Sequence, residues 1–208
     1  MSQFFFEQND LIQRFGADAT LGDVFTQIEG EVKAIKEVIC QFKVNGLALN
    51  EQDEKRLSSS SLEEIQTLEV YSQEPRAILG DVLVSWSSQI PTMIEQNDRL
   101  AEQIRFQGME GLLKALVELI DQSQLLVDSI LSIDTVFSEF PVVQSEAWRS
   151  AQQQMAETIG EALQAFQKKD YTWLADILEY NMGHSLQTWM ELLGRLKQDV
   201  TNTAGPTP

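Results

Sequence analysis

From Pro75 to about residue 200 the apolar side chains recur at helical spacing, and nothing in that stretch reads as a strand. Such a run folds by burying one helical stripe against another, so it dictates an antiparallel helical bundle. Ile78, Val82, Leu83, Trp86 and Ile90 mark the first stripe, which resumes with Ile94, Leu100, Ile104 and Phe106 after Pro91. Pro91 is expected to kink or interrupt that helix, because it removes a donor and crowds the preceding turn. Gly108 and Gly111 punctuate. Between Leu112 and Ile133 the apolar residues leave only a narrow polar stripe, the pattern of a helix central to the bundle. Phe140-Pro141 ends it.

Trp148, Ala151, Met155, Ile159, Leu163 and Phe166 line the next helix, and Lys168-Lys169-Asp170 makes a polar turn with Asp170 as the following N-cap. Leu174, Leu178, Leu186, Trp189, Leu193 and Leu196 line the last helix, and the short connection predicts that the two pack antiparallel. The bundle spans 75–200, and residues 201–208 read as a flexible tail.

Upstream the texture differs. Residues 1–19 read as an arm anchored by apolar residues that include Phe4, Phe5 and Phe6, and 20–74 as a small α+β module. Thr20 and Asp23 are spaced for a helix start, with Val24, Ile28, Val32 and Ile35 at helical spacing behind them. Val38 to Val44 is β-prone and leads into Asn45-Gly46, a pair suited to two positive φ angles. Leu47 and Leu49 suit a short return strand. Glu51 to Arg56 and Ser58 to Ser61 read as solvated connection, and Ser61 with Glu64 fits a capping box for one turn. Ile65 to Tyr71 offers a second strand. The expected fold is thus mainly α, a bundle preceded by strand, Asn-Gly turn and second strand.

Charge narrows the partners. Against 15 basic side chains stand 32 acidic ones, a formal charge of -17 that repels phosphate backbones and anionic headgroups. Nucleic acid and membranes are therefore excluded as expected partners, and no segment has the roughly 18 consecutive apolar residues of a membrane span. Solubility explains the charge blandly; a basic protein docking on an acidic helical face explains it more sharply. The single cysteine, Cys40, allows no disulfide framework and no thiolate metal site, so a reducing, cytoplasmic address is expected. Glu7 and Asp10 follow the phenylalanines and no basic residue precedes them, which is not a secretory leader.

Catalytic chemistry has little to start from. No phosphate loop, dinucleotide fingerprint or nucleophile elbow is present, and Cys40 is expected to be a buried, inert strand residue. His184 is the sole histidine, too few for a ferritin-like di-iron site, and Gly183 beside it marks a local irregularity in the last helix. No catalytic, cofactor or metal residues are assigned. Glu157, Glu161, Asp176 and Glu179 could meet across the last hairpin, but they lie on the edges of apolar stripes where solvated carboxylates sit. The alternative pocket these helices could form uses Glu179, Tyr180 and His184. Trp148 and Trp189 fit their apolar stripes and belong to the core. Trp173, beside a turn, and Phe4, Phe5 and Phe6 are the candidate interface residues.

Three stretches, Phe42 to Leu49 (FKVNGLAL), Leu68 to Pro75 (LEVYSQEP) and Leu174 to Leu193 (LADILEYNMGHSLQTWMELL), resemble a family of uncharacterised bacterial proteins known as a domain of unknown function. The resemblance implies a small β-containing part followed by helices, a bacterial origin and no assigned activity, and it carries over no catalytic residue. The function expected on these grounds is a non-enzymatic adaptor or chaperone-like protein that binds another protein, with a homodimer through apolar helix faces or the N-terminal arm. The competing expectation is a small-ligand binder or enzyme with a carboxylate-lined pocket between helices.

Overall fold

A computed structural model describes residues 1–203, and the chain divides into two compact units, Met1–Ile78 and Leu79–Pro208. The first is an α+β module. Strand β1 (Ser2–Glu7) and helix α1 (Gln8–Phe15) are followed by α2 (Leu21–Ala34), β2 (Val38–Val44), β3 (Leu47–Ala48), α3 (Glu51–Leu57), a single 3₁₀ turn (Leu62–Glu64) and β4 (Thr67–Gln73). All pairings are antiparallel, in the order β1-β4-β2-β3.

Local chemistry fixes these elements. The Thr20 Oγ1 accepts from the Asp23 N–H at 3.3 Å while Asp23 accepts from the Thr20 N–H at 2.9 Å, a closed capping box that starts α2. Asn45 and Gly46 take φ of 51° and 79°, the paired positive angles of a tight hairpin turn. The Asn45 side chain also accepts from the backbone N–H groups of Gln66 and Thr67 at 2.8 and 3.1 Å, so the turn is tied to the start of β4. In β4, Leu68, Val70 and Ser72 point inward and their neighbours are half-buried, the period-2 signature of a strand covered on one face. Phe25 of α2 stacks on Phe42 of β2 with ring centroids 4.3 Å apart.

Three features of this unit differ from the sequence expectation. The stretch expected as an arm is β1 and α1, paired with β4 from Ser2 to Glu7 and anchored by buried Phe6 and Leu11. Residues 51–57, expected as connection, form α3 because Asn50 accepts from the Gln52 and Asp53 N–H groups and caps them. Cys40 is exposed rather than buried: the β2–β4 register shifts between Ile39 and Gln41, and this bulge turns the thiol outward.

The second unit is helical. It comprises α4 (Pro75–Gln107, which begins in the first unit), α5 (Leu113–Val136), α6 (Glu146–Gln167), and a continuous run of α7 (Tyr171–Asp176), a π-helical turn (Ile177–Met182) and α8 (Gly183–Thr203). Trp148 of α6 meets Trp189 of α8 edge-to-face at 4.9 Å, both rings wholly buried. Such a pair adds about 0.5–1.5 kcal/mol beyond its burial. Later on α6, Glu161 accepts from Asn181, so partner numbers fall as α6 numbers rise and the packing is antiparallel. Asp170 caps α7 by accepting from the Trp173 N–H at 3.0 Å.

Pro91 does not interrupt α4, which continues through it to Gln107. α5 is not the surrounded helix its composition suggests. It buries Leu116, Leu119, Leu126, Ile130 and Ile133 on one stripe and leaves Leu113, Val117, Leu125, Leu131 and Val136 exposed. Helix α8 reaches Thr203, and the rest of the expected tail, 204–208, lies outside the described residues.

One carboxylate ties the module's N-terminal strand in place. Glu37 accepts from the Ser72 hydroxyl at 2.5 Å and from the Ser2 hydroxyl at 2.8 Å, and these bonds, that of Ser72 foremost, hold its pKa below the usual range. A depressed carboxylate stabilises the fold above its ordinary pKa, about 4.3, and loses that contribution as pH falls through the folded value. Glu37→Gln should therefore destabilise the module at neutral pH and show a smaller deficit under acid. Urea unfolding followed through the Leu68 and Val70 methyl NMR signals measures this; an equal deficit at both pH values would refute it.

Candidate functional site

Within the helical unit, the second half of α4 and the π turn with the start of α8 border an open cleft of about 670 Å³. Asp98, Glu102, Arg105 and Phe106 project from α4; Glu179, Tyr180, Gly183, His184 and Gln187 line the other wall. Each set follows helical arithmetic. Positions 98, 102 and 105, and positions 180, 184 and 187, are spaced four and then three apart, so each lies on one face.

The cleft's walls are joined at two levels. At its base Asn97, wholly buried, donates from Nδ2 to the Leu178 carbonyl at 2.8 Å. That carbonyl also accepts from the Gly183 N–H, five residues on, the bond that defines a π turn. At the surface Arg105 forks between Asp176, at 2.7 Å, and Glu179. The hydrogen bonds it donates to Glu179 and Asp176, in that order, raise the guanidinium pKa further above its already high value. Arg105 stays charged and occupied.

What remains available is acidic and aromatic. Asp98 and Glu102 are exposed, Phe106 is 82 % exposed and Tyr180 63 %. Four carboxylates, Asp98, Glu102, Asp176 and Glu179, stand near one guanidinium. The arrangement can receive a cation between ring faces and carboxylates, and an apolar segment against Phe106. Gly183 keeps the floor open: a Cβ there would lie 3.6 Å from the Asn97 Nδ2 and 3.8 Å from Asp98 Oδ1, in ordinary contact.

The structure thus brings Glu179, Tyr180 and His184 onto one surface. It separates the four carboxylates of the last hairpin: Asp176 and Glu179 turn to Arg105, while Glu161 bonds Asn181 and Glu157 accepts from Gln153. Trp173 is half-buried against the core, with the Lys168 ammonium 5.2 Å from its ring centre, and does not line the cleft. Phe4, Phe5 and Phe6 lie in β1 of the other unit. Among the described residues no group of three or more His, Cys, Asp or Glu side chains is placed to hold a metal.

Sequence reading missed Asp98, Glu102 and Arg105, since it followed α4 for its apolar stripe alone, and it placed Phe106 on that stripe, where the structure leaves it exposed at the cleft. A signal for the π turn was present. Leu174, Leu178, Met182 and Leu186, all wholly buried, are spaced by four throughout. In an α-helix each such step drifts about 40° around the axis. A turn with more residues absorbs the drift and keeps the four on one side.

The model of a domain of unknown function, DUF8042, matches residues 81–192, more than half of the chain and every residue of the cleft. The chain belongs to the DUF8042 family. A second family model, the TP0873 N-terminal domain, matches residues 15–74, which takes in α2 to β4 and leaves β1 outside. No curated protein and no solved structure gives a significant match. The DUF8042 segment therefore carries the cleft, the Asn97 brace and the tryptophan pair together.

The buried amide makes the brace testable. Asn97→Asp keeps the shape but sets an unpaired carboxylate against the Leu178 carbonyl, and should cost roughly 3–5 kcal/mol. Asn97→Leu loses the bond to Leu178, worth about 1 kcal/mol, and a longer one of 3.3 Å to the exposed Asp98, but it also removes a buried Oδ1 that has no partner among the described residues, so it should cost no more than about 1 kcal/mol. Denaturant melts read through tryptophan fluorescence decide it; equal losses in the two variants would show that the amide is not the brace.

Proposed function

We propose that this chain is a non-enzymatic adaptor or chaperone-like module that docks a basic segment of another protein in the α4/α8 cleft. The observation that carries this reading is the pairing of two strongly exposed aromatics, Phe106 and Tyr180, with the exposed carboxylates Asp98 and Glu102. Exposed rings beside acidic groups suit lysine or arginine side chains through cation–π and charge attraction. The net charge of -17 would steer such a partner from a distance. The setting we infer is a bacterial cytoplasm, where the exposed thiol of Cys40 stays reduced.

The same cleft supports a second reading, a small-ligand or catalytic pocket, because Glu179, Tyr180 and His184 share it. Its openness favours the protein: pockets for small ligands enclose most of the ligand surface, whereas this one is bounded by exposed side chains.

Affinity purification of tagged chain from its host at near-native expression tests the reading. A co-purifying protein is expected, recovered at least about tenfold less with Tyr180→Ala or with Asp98→Lys, and released by salt. Recovery of nothing above background, or recovery that neither substitution changes, would argue against it.

A further inference from the structure

Strand β1 is an outer strand of the four-stranded sheet, and beside it α2 leaves an apolar recess of about 170 Å³ lined by Phe4, Phe6, Ile28, Glu31, Val32 and Ile35. The sheet's other edge is blunted. There β3 is two residues long and pairs only with Lys43 and Val44, and β2 carries the bulge at Cys40. β1 has no such protection: six residues, no proline, no lysine and an unbroken register with β4. Phe5, on the face opposite Phe4 and Phe6, is 54 % exposed. One face of this open edge is apolar, and the other carries Phe5 between Gln3 and Glu7.

We propose that the edge is covered by β1 of a second copy of this chain, antiparallel across a two-fold axis at Phe5. An interface of this symmetry requires a strand that complements itself when reversed. SQFFFE does so in one register. With Phe5 facing the partner's Phe5, Phe4 faces the partner's Phe6, and Glu7, the strand's one charged side chain, faces the partner's uncharged Gln3. Centring the axis on Phe4 would set Phe6 against serine, and centring it on Phe6 would set Phe5 against glutamate. Only the axis at Phe5 leaves every phenylalanine facing a phenylalanine, the aromatic cross-strand pairing that stabilises sheets, and no carboxylate facing another. The partner strand then runs beside Phe4, at the mouth of the recess. Two copies of like net charge repel, so this association tightens as salt screens them, the reverse of a basic partner's behaviour in the cleft.

Sedimentation velocity of the full chain over a concentration series, at low and at high salt, should show a dimer that strengthens with salt. Phe5→Lys and Phe5→Glu each set like charges face to face at the axis and should weaken self-association about tenfold or more, while an equimolar mixture of the two recovers it. Within one copy Phe5 is 54 % exposed and lies across from Glu69 of β4, so Phe5→Lys gains an opposite charge there and Phe5→Glu a like one, and the comparison is made under conditions where both keep the wild-type circular dichroism. As a second measurement, Phe5→Cys combined with Cys40→Ser should form a disulfide-linked dimer on oxidation, because facing residues of antiparallel strands lie within disulfide reach. A wild-type chain that stays monomeric throughout overturns the proposal. So does a dimer that neither charged variant weakens, that their mixture fails to restore, or in which the cysteine variant does not cross-link.

Discussion

The hydrogen bond from the Asn97 amide to the Leu178 carbonyl is the constraint on which the cleft depends. A π turn holds its bonds less favourably than an α turn, and it persists where neighbouring structure fixes it. Here two things do. Leu174, Leu178, Met182 and Leu186 are spaced so that a wider turn keeps them all on one buried side, and Asn97 supplies a second donor to the Leu178 carbonyl near the turn's start. The consequence is functional geometry: Glu179 swings to Arg105, Tyr180 projects into solvent, and Gly183 leaves the floor bare.

Electrostatics then sorts the carboxylates into two kinds. Asp176 and Glu179 are spent on Arg105, whose charge they hold in place; such exposed pairs add little stability, so positioning is their main effect. Asp98 and Glu102 stay open to solvent beside two aromatic rings. A surface of this composition differs from a uniformly acidic one, because the rings give an incoming side chain something to pack on.

How far the sequence revealed this depends on whether local chemistry or tertiary contact decides each element. The Thr20 capping box, the Asn45-Gly46 turn, the Asp170 cap and the stripes that carry Trp148 and Trp189 are local or periodic, and each was legible but for Leu163, which the structure leaves exposed. The first strand was not, because three consecutive phenylalanines show no alternation, and pairing with β4 some 65 residues away is what makes them a strand. Helix α5 misleads for a related reason: composition reports how apolar a helix is but not how many neighbours it finds, and half of its leucines and valines face solvent. In the cleft, Glu179, Tyr180 and His184 could be grouped from their own helix. Their counterparts on α4 could be found only once packing had set the two helices side by side.

The central claim is that Phe106 and Tyr180 touch a partner protein, and photo-crosslinking in the host tests it most directly. With benzoylphenylalanine in place of Phe106 or of Tyr180, both positions should yield adducts to the same protein, at a peptide containing lysine or arginine. Leu131, exposed on α5 and outside the cleft, should not. No protein adduct from either cleft position, or adducts no different from those at Leu131, would contradict it.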